Sequence, residues 1–256
     1  MMCAMPGKPS QTAGAQSLPA MAGRFASPLA PKTGLGVLHL FYRVHISADF
    51  GVIRTAVEAA CKDGCQVVSI AMLGHKADLG FMVLADDMWH LRAFQTRASE
   101  AGLELSGSYV SITEVSEYAP GLPEDIKSKR LYPSLPPDGK RAFCFYPMSK
   151  RRQPGQNWYT LDYEQRRDLM YAHGATGRKF AGRVLQLVTG SAGVDDFEWG
   201  VSLFANRPDD LKDVVYTMRF DEASALYAEF GPFFFGVVAD LEEVLSAMPG
   251  AMSAQR

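Results

Sequence analysis

Three polar side chains interrupt apolar patterns in the second half of this chain. They are Tyr146 in RAFCFYPM (141–148), His173 in LDYEQRRDLMYAHGATG (161–177) and Gln186 in RVLQLVTG (183–190). A neutral imidazole can ligate a metal. A primary amide offers hydrogen bonds without charge, and a phenol supplies an O–H. The run Lys150-Arg151-Arg152 follows Tyr146 closely. On an open surface it is a solvated charge run, whereas at the mouth of a pocket it receives carboxylates. Together these residue types suit a buried, flat, negatively charged ligand such as a porphyrin.

The elements that must position them are legible locally. Residues 161–177 read as a helix opening at an Asp and closing at Gly177. Leu169, Met170 and His173 fall at i, i+1 and i+4, so the histidine shares a face with two large hydrophobes. A core histidine bonded to a backbone carbonyl and a metal ligand both fit that placement, and spacing does not choose between them. Residues 183–190 read as a strand with Val184, Gln186 and Val188 on one face and Leu185 and Leu187 on the other. Both faces are otherwise apolar, so the Gln186 amide is expected to need a partner, structural or not. The strand 141–148 places Ala142, Cys144 and Met148 on the face of Tyr146, and Pro147 is expected to end the strand or make it an edge.

The stretch YPMSKRR, NWY, HGATGRKFAGRVLQ and TGSAGVDDFEWG, with most of the chain after Leu35, resembles the chlorite-dismutase-like haem proteins. Its pattern is most similar to the branch of peroxide-dependent coproheme decarboxylases. The resemblance implies His173 as the proximal iron ligand. The thirteen-residue step from it leads to Gln186 as the distal residue. Chlorite dismutases place an arginine there, which holds the oxyanion leaving the iron. The uncharged Gln186 therefore argues for the decarboxylase branch. Tyr146 matches the tyrosine that becomes the oxidising radical, and Tyr146, Pro147, Met148, Ser149 and Lys150 match the propionate side of the pocket. Arg219 and Ser224 in YTMRFDEASALYAEFG fall at further propionate contacts, as do Arg130 and Tyr132 in RLYPSLP across a loop of variable length.

Composition bounds the alternatives. A chain of 256 residues with 47% hydrophobic and 21% charged residues has ample material for a buried core. Its formal net charge of −2 exerts no overall pull on nucleic acid or an anionic membrane. No apolar run approaches the roughly 20 residues of a membrane-spanning helix. Cys3, Cys61, Cys65 and Cys144 form no CxxC pair and no CxxCH attachment site, so a haem would be held non-covalently. Residues 1–34, rich in Ala, Pro, Ser, Gly and Met, read as a disordered extension. Lys8, Arg24 and Lys32 give it a faint transit-peptide character, and the lack of an apolar stretch argues against a secretory signal.

From Leu35 one order of elements occurs twice. A strand (35–47), helix (50–63), strands (66–73, 79–84), helix (87–101) and strand (104–113) make the first half. A strand (141–148), helix (161–177), strands (183–190, 197–205), helical stretch (208–229) and strand (232–238) make the second half, 141–256. Both halves read β-α-β-β-α-β, the ferredoxin-like order. An α+β chain of two tandem ferredoxin-like repeats is expected, its sheets closing edge to edge into a dimeric-type α/β barrel. The Pro-rich, charged segment 114–140 would link the halves and cover the pocket. His39 and His45 are expected to be surface or core residues, His75 and His90 carry no role, TGSAG (189–193) reads as a turn, and Trp158 and Trp199 supply packing bulk.

The resemblance implies oxidative decarboxylation of two propionates of iron coproporphyrin III (coproheme) to vinyl groups by hydrogen peroxide. The product is haem b, and coproheme is both substrate and cofactor. It further implies a cytoplasmic homopentamer in transient contact with the coproporphyrin ferrochelatase. Rival readings on the same pattern are a chlorite-degrading or general haem peroxidase, a haem carrier or sensor, and a haem-free barrel.

Overall fold

The computed structural model describes residues 27–251. The first half comprises β1 (Gly36–Arg43), α1 (Phe50–Lys62), β2 (Gln66–Leu73), β3 (Leu79–Ala85), α2 (Met88–Ser99) and β4 (Glu104–Thr113). A connecting segment carries α3 (Glu124–Leu131). The second half opens with β5 (Ala142–Lys150), the two-residue strands β6 (Arg152–Gln153) and β7 (Gln156–Asn157), and a 3-10 turn at Trp158–Thr160. It continues through α4 (Tyr163–Arg178), β8 (Val184–Gly190), β9 (Trp199–Ala205), α5 (Pro208–Met218), α6 (Glu222–Ala225), β10 (Ala228–Phe230), β11 (Phe234–Val238) and α7 (Leu241–Ser246).

Pairing shows the repeat directly. The first half orders its strands β2-β3-β1-β4 and the second β8-β9-β5-β11, the same permutation of first, second, third and fourth strands. β4 then pairs with β8, and β11 with β2, so the two sheets close on each other. Closure leaves no unpaired edge among these eight strands.

Alternation along the strands divides the apolar residues into layers. Val37, Phe41, Phe143, Phe145, Leu187 and Phe204 belong to the cluster inside the barrel. Leu38, Leu40, Tyr42 and Phe81 point outward beneath α1 and α2, with Phe94 above them. Cys144, Tyr146, Val201 and Leu203 point outward on the second half, with Leu211 and Val214 of α5 packed on them.

The two halves treat their first helices differently. α1 buries Ile53, Ala56, Val57 and Ala60, whereas no residue of α4 is buried. The helix is nevertheless well specified: the Asp162 side chain accepts from Gln165 N at 2.8 Å, and the Gln165 side chain accepts from Asp162 N at 3.2 Å.

Several expectations change. The helical stretch 208–229 breaks into α5, α6 and the strand β10. Arg219 caps α5, and Asp221 opens α6 in extended conformation, so the chain turns twice where the apolar pattern alone reads as continuous. The first strand ends at Arg43 rather than 47. Pro147 does not end its strand, which runs to Lys150. It lies between the Phe234–Phe145 pairing with β11 and the Phe230–Met148 pairing with β10, and there only its carbonyl is used, accepting from Gly231 N at 2.8 Å. No donor is required at that position. The extension expected over 1–34 falls largely outside the described residues, while Leu29 N bonds Asp87 Oδ1 at 3.2 Å.

Candidate functional site

The register across β8, β9 and β5 builds one face. Tyr146 pairs with Val201 and Val201 with Val188. The next row is Cys144, Leu203 and Gln186, and the row beyond Tyr146 is Met148, Trp199 and Gly190. Directly paired residues share a face, so Tyr146 and Gln186 look the same way, about 12 Å apart by strand geometry. Lys150 continues that face, whereas Pro147 and Ser149 alternate to the other. The Ser149 hydroxyl accepts from Glu198 N at 3.2 Å.

Tyr146 is buried, its ring stacked on Phe233 at 4.5 Å and edge-on to Phe230 at 5.6 Å. Burial pushes its phenol well above the ordinary range, opposed in part by the positive charge of Arg219. Arg219 is itself exposed, with its guanidinium over the Phe230 ring at 5.6 Å. Gln186 is exposed. The expected burial of its amide among apolar neighbours is therefore incorrect: Val184 and Val188 flank it but nothing of the chain covers it, and the side chain needs no internal partner.

Lys150 departs from the charge run that contains it. It is buried, and its ammonium donates to Ala223 O at 2.9 Å and lies 4.1 Å from the Trp158 ring centroid. Desolvation lowers its pKa to about 8, against the opposing charge of Glu198. Glu198 is buried too, accepting from Lys150 N at 2.8 Å and pairing with Arg152. Arg151 bonds Gln156 Oε1 at 3.1 Å. Ser224, one residue beyond the carbonyl that Lys150 holds, is buried at the start of α6.

His173 sits on α4 with its side chain 23% exposed, so it is neither a core histidine nor a surface one. Its Nδ1 faces Asp221 Oδ2 at 3.4 Å. Neither of those two buried atoms has a hydrogen-bond partner, while Asp221 Oδ1 accepts from Thr176 Oγ1 at 2.8 Å. Burial lowers the histidine pKa, and the Lys150 ammonium lowers it further; Asp221 acts in the opposite sense. The imidazole is neutral near pH 7, with Nδ1 directed at a carboxylate and Nε2 turned away from it. That is the arrangement of a metal-binding histidine with a carboxylate behind it. The donor set thus fits an iron porphyrin. It offers one neutral imidazole on a helix with no buried residues, an apolar sheet face, and the cations Lys150 and Arg219 near its edge. Among the described residues no cluster of three His, Cys, Asp or Glu could hold a bare metal ion. Cys65 is buried, with its thiol pushed up to about 12 by desolvation.

Arg130 and Tyr132 stand apart from this group. Arg130 is exposed on α3, and the Tyr132 hydroxyl accepts from Gly34 N at 3.1 Å. The connecting segment reaches the site through Tyr118, whose ring meets Trp158 edge-on at 6.3 Å and whose hydroxyl accepts from Arg166 at 3.0 Å. Sequence reasoning missed Asp221, Trp158 as the platform of Lys150, and Glu198 as its anchor. Asp221 in RFDEAS carries only a helix-opening signal. Its approach to His173 depends on how α6 packs against α4.

Fold and site together define a chlorite-dismutase-type barrel. Residues 48–239 match the chlorite dismutase family, and the chain belongs to it. A solved heme-binding protein of Thermus thermophilus is 36% identical, superposes with a TM-score of 0.74, and aligns over 87% of this chain and 95% of its own. A Natronomonas pharaonis protein whose heme binding is itself inferred is 43% identical over 72% of this chain. The matched part spans 33% of that relative's length. A mutant chlorite dismutase of Candidatus Nitrospira defluvii shares the fold at 19% identity, with a TM-score of 0.64 over 84% of this chain and 95% of its own.

Proposed function

We propose that this protein binds iron coproporphyrin III and converts two of its propionates to vinyl groups with hydrogen peroxide, yielding haem b. The observation that carries the reading is a buried, oxidisable Tyr146 on the same sheet face as Gln186 and Lys150, with a neutral His173 on the helix that flanks it. The heme binding described for the Thermus and Natronomonas proteins supports the ligand class. Gln186, where chlorite dismutases hold an arginine, supports the reaction.

His173 Nε2 would hold the iron, with Asp221 fixing the imidazole through Nδ1. Bound there, an iron porphyrin would supply the redox chemistry with peroxide. Gln186 would offer an uncharged amide from the sheet face. Lys150 remains protonated at neutral pH and would exchange its bond to Ala223 O for a propionate, with Ser224 beside it and Arg219 at the edge. The site residues Pro147, Met148 and Ser149 would shape that wall, and Arg130 and Tyr132 would reach it from the connecting segment. Tyr146 keeps its proton at all ordinary pH values, so it yields a hydrogen atom's equivalent rather than a phenolate electron. Its radical takes a hydrogen atom from the β-carbon of a propionate. Loss of CO2 and a second electron then leave the vinyl group. The balance per propionate is R–CH2CH2COO− + H2O2 + H+ → R–CH=CH2 + CO2 + 2 H2O.

The test is to load the purified protein with iron coproporphyrin III, add peroxide, and follow porphyrin masses. Stepwise loss of two propionate carboxyls as vinyl groups form is expected. Sustained dioxygen release from chlorite with no change in porphyrin mass would overturn the reaction. His173→Ala should abolish or strongly shift the ferric Soret band. The same reading includes a homopentamer and a transient contact with the coproporphyrin ferrochelatase, which sedimentation of the protein alone and with that enzyme measures.

A further inference from the structure

A cleft of about 640 Å3 opens between the segment 31–33, the end of β4, the loop 114–120 and α3. Glu114 lines it, and the carboxylate leaves the loop for the sheet face described above. Trp199 Nε1 donates to Glu114 Oε1 at 2.9 Å, and Trp199 lies in the row beside Met148, next to that of Tyr146. The carboxylate also packs on Gly190, where an added Cβ would stand 2.7 Å from Glu114 Cδ. Gly190 and Gln186 are on the same face of β8, about 13 Å apart. One wall of the cleft is therefore an exposed carboxylate placed beside the candidate site's own face.

The chemistry of this lining is selective. An ionised carboxylate only accepts hydrogen bonds. It welcomes a small neutral molecule with O–H donors and repels an anion that has none. Hydrogen peroxide carries two such donors, and chlorite carries only negative charge. Lys32 and Lys127 in the lining are balanced by Glu114 and Glu117, so the lining has no net attraction for anions.

Resting on the decarboxylase reading, we propose that this cleft is the route by which hydrogen peroxide reaches the face carrying Tyr146 and Gln186. Glu114, held by Trp199, receives the molecule beside that face as a hydrogen-bond acceptor. The residue exchanges no electrons and needs no net proton transfer. It concentrates and orients the neutral oxidant at that face. Partial desolvation raises the Glu114 pKa, opposed by the Trp199 donor and reinforced by Glu117. The acceptor is accordingly lost earlier on acidification than an ordinary carboxylate would be.

Two variants test this, Glu114→Gln and the cleft-filling Ala119→Phe. In porphyrin-loaded protein, stopped-flow traces give the second-order rate of peroxide reaction, and a Soret titration gives porphyrin affinity. Both variants should lower the peroxide rate about tenfold while leaving porphyrin affinity within a factor of about two, a tenfold change corresponding to 1.4 kcal/mol. The acid limb of the wild-type rate, which Lys32, Glu117 and Lys127 also feel, should disappear in Glu114→Gln. In porphyrin-free protein, acrylamide quenching of the emission that Trp199→Phe removes should fall in Ala119→Phe. Unchanged peroxide rates in both variants, or quenching indifferent to Ala119→Phe, overturn the route. If wild type reacts rapidly with peroxide but never decarboxylates, the function fails while these rates still judge the cleft.

Discussion

Lys150 is a buried cation on the face where the proposed function seats a propionate, and its energetics can be worked through. Its pKa is near 8, against an ordinary value of 10.5. Between those values the unfolded chain holds a proton that the folded protein has released. Raising the pH through that window therefore favours folding. The difference corresponds to roughly 3 kcal/mol of strain carried by the charged form at neutral pH. Linkage over the interval from pH 7.5 to 10 recovers about 2 kcal/mol of it. Lys150→Met removes the group, so the variant should lack this component. Urea unfolding followed by tryptophan fluorescence, at both pH values, gives the double difference: wild type minus variant should change by about 2 kcal/mol in favour of wild type at the higher pH. The variant should also bind iron coproporphyrin III more weakly at neutral pH, because the strain is held in place to receive a propionate. Wild-type affinity should itself fall as the pH rises above 8, where binding must recapture a proton. Parallel pH dependence of stability in the two proteins would refute the desolvation argument, whatever the binding result.

Tyr146→Phe should keep porphyrin affinity within a few-fold and stop vinyl formation, since packing against Phe233 survives and only the O–H is lost; near-normal conversion by mass would remove Tyr146 from the chemistry. Asp221→Asn takes the carboxylate away from His173 Nδ1, and should weaken porphyrin binding by roughly 10–100-fold and raise the iron reduction potential, read by Soret titration and spectroelectrochemistry. His39 is fully buried in the barrel, its Nε2 2.9 Å from Ser202 Oγ and its pKa lowered to about 3 by desolvation. The unfolded chain protonates first as the pH falls through 6.5, so wild type should lose roughly 2–3 kcal/mol by pH 4.5, a loss that His39→Gln escapes in acid urea titrations.

What the sequence determined by itself is local and periodic. The repeat of β-α-β-β-α-β is written in apolar spacing, and with it the barrel, because two half-covered sheets with free edges have each other as partners. The types Tyr146, His173 and Gln186 stood out because each broke an apolar pattern, and β-strand alternation put Tyr146 and Gln186 on defined faces of their own strands. That those faces are one face was settled only by the third strand: Val201 and Leu203 of β9 register β5 against β8. Tertiary packing also decided the character of each polar residue. Lys150 is buried while its neighbours in the same run are not, because α6 and Trp158 close over it alone. Gln186 reads as buried from Val184 and Val188 and is exposed, because α4 lies on α5 and α6 with none of its residues buried. Asp221 meets His173 only through the break that interrupts the helical pattern at Arg219. The spacing of residues along a chain fixes which side chains can share a surface. Which surfaces meet, and which groups lose their water there, depends on contacts between segments far apart in sequence.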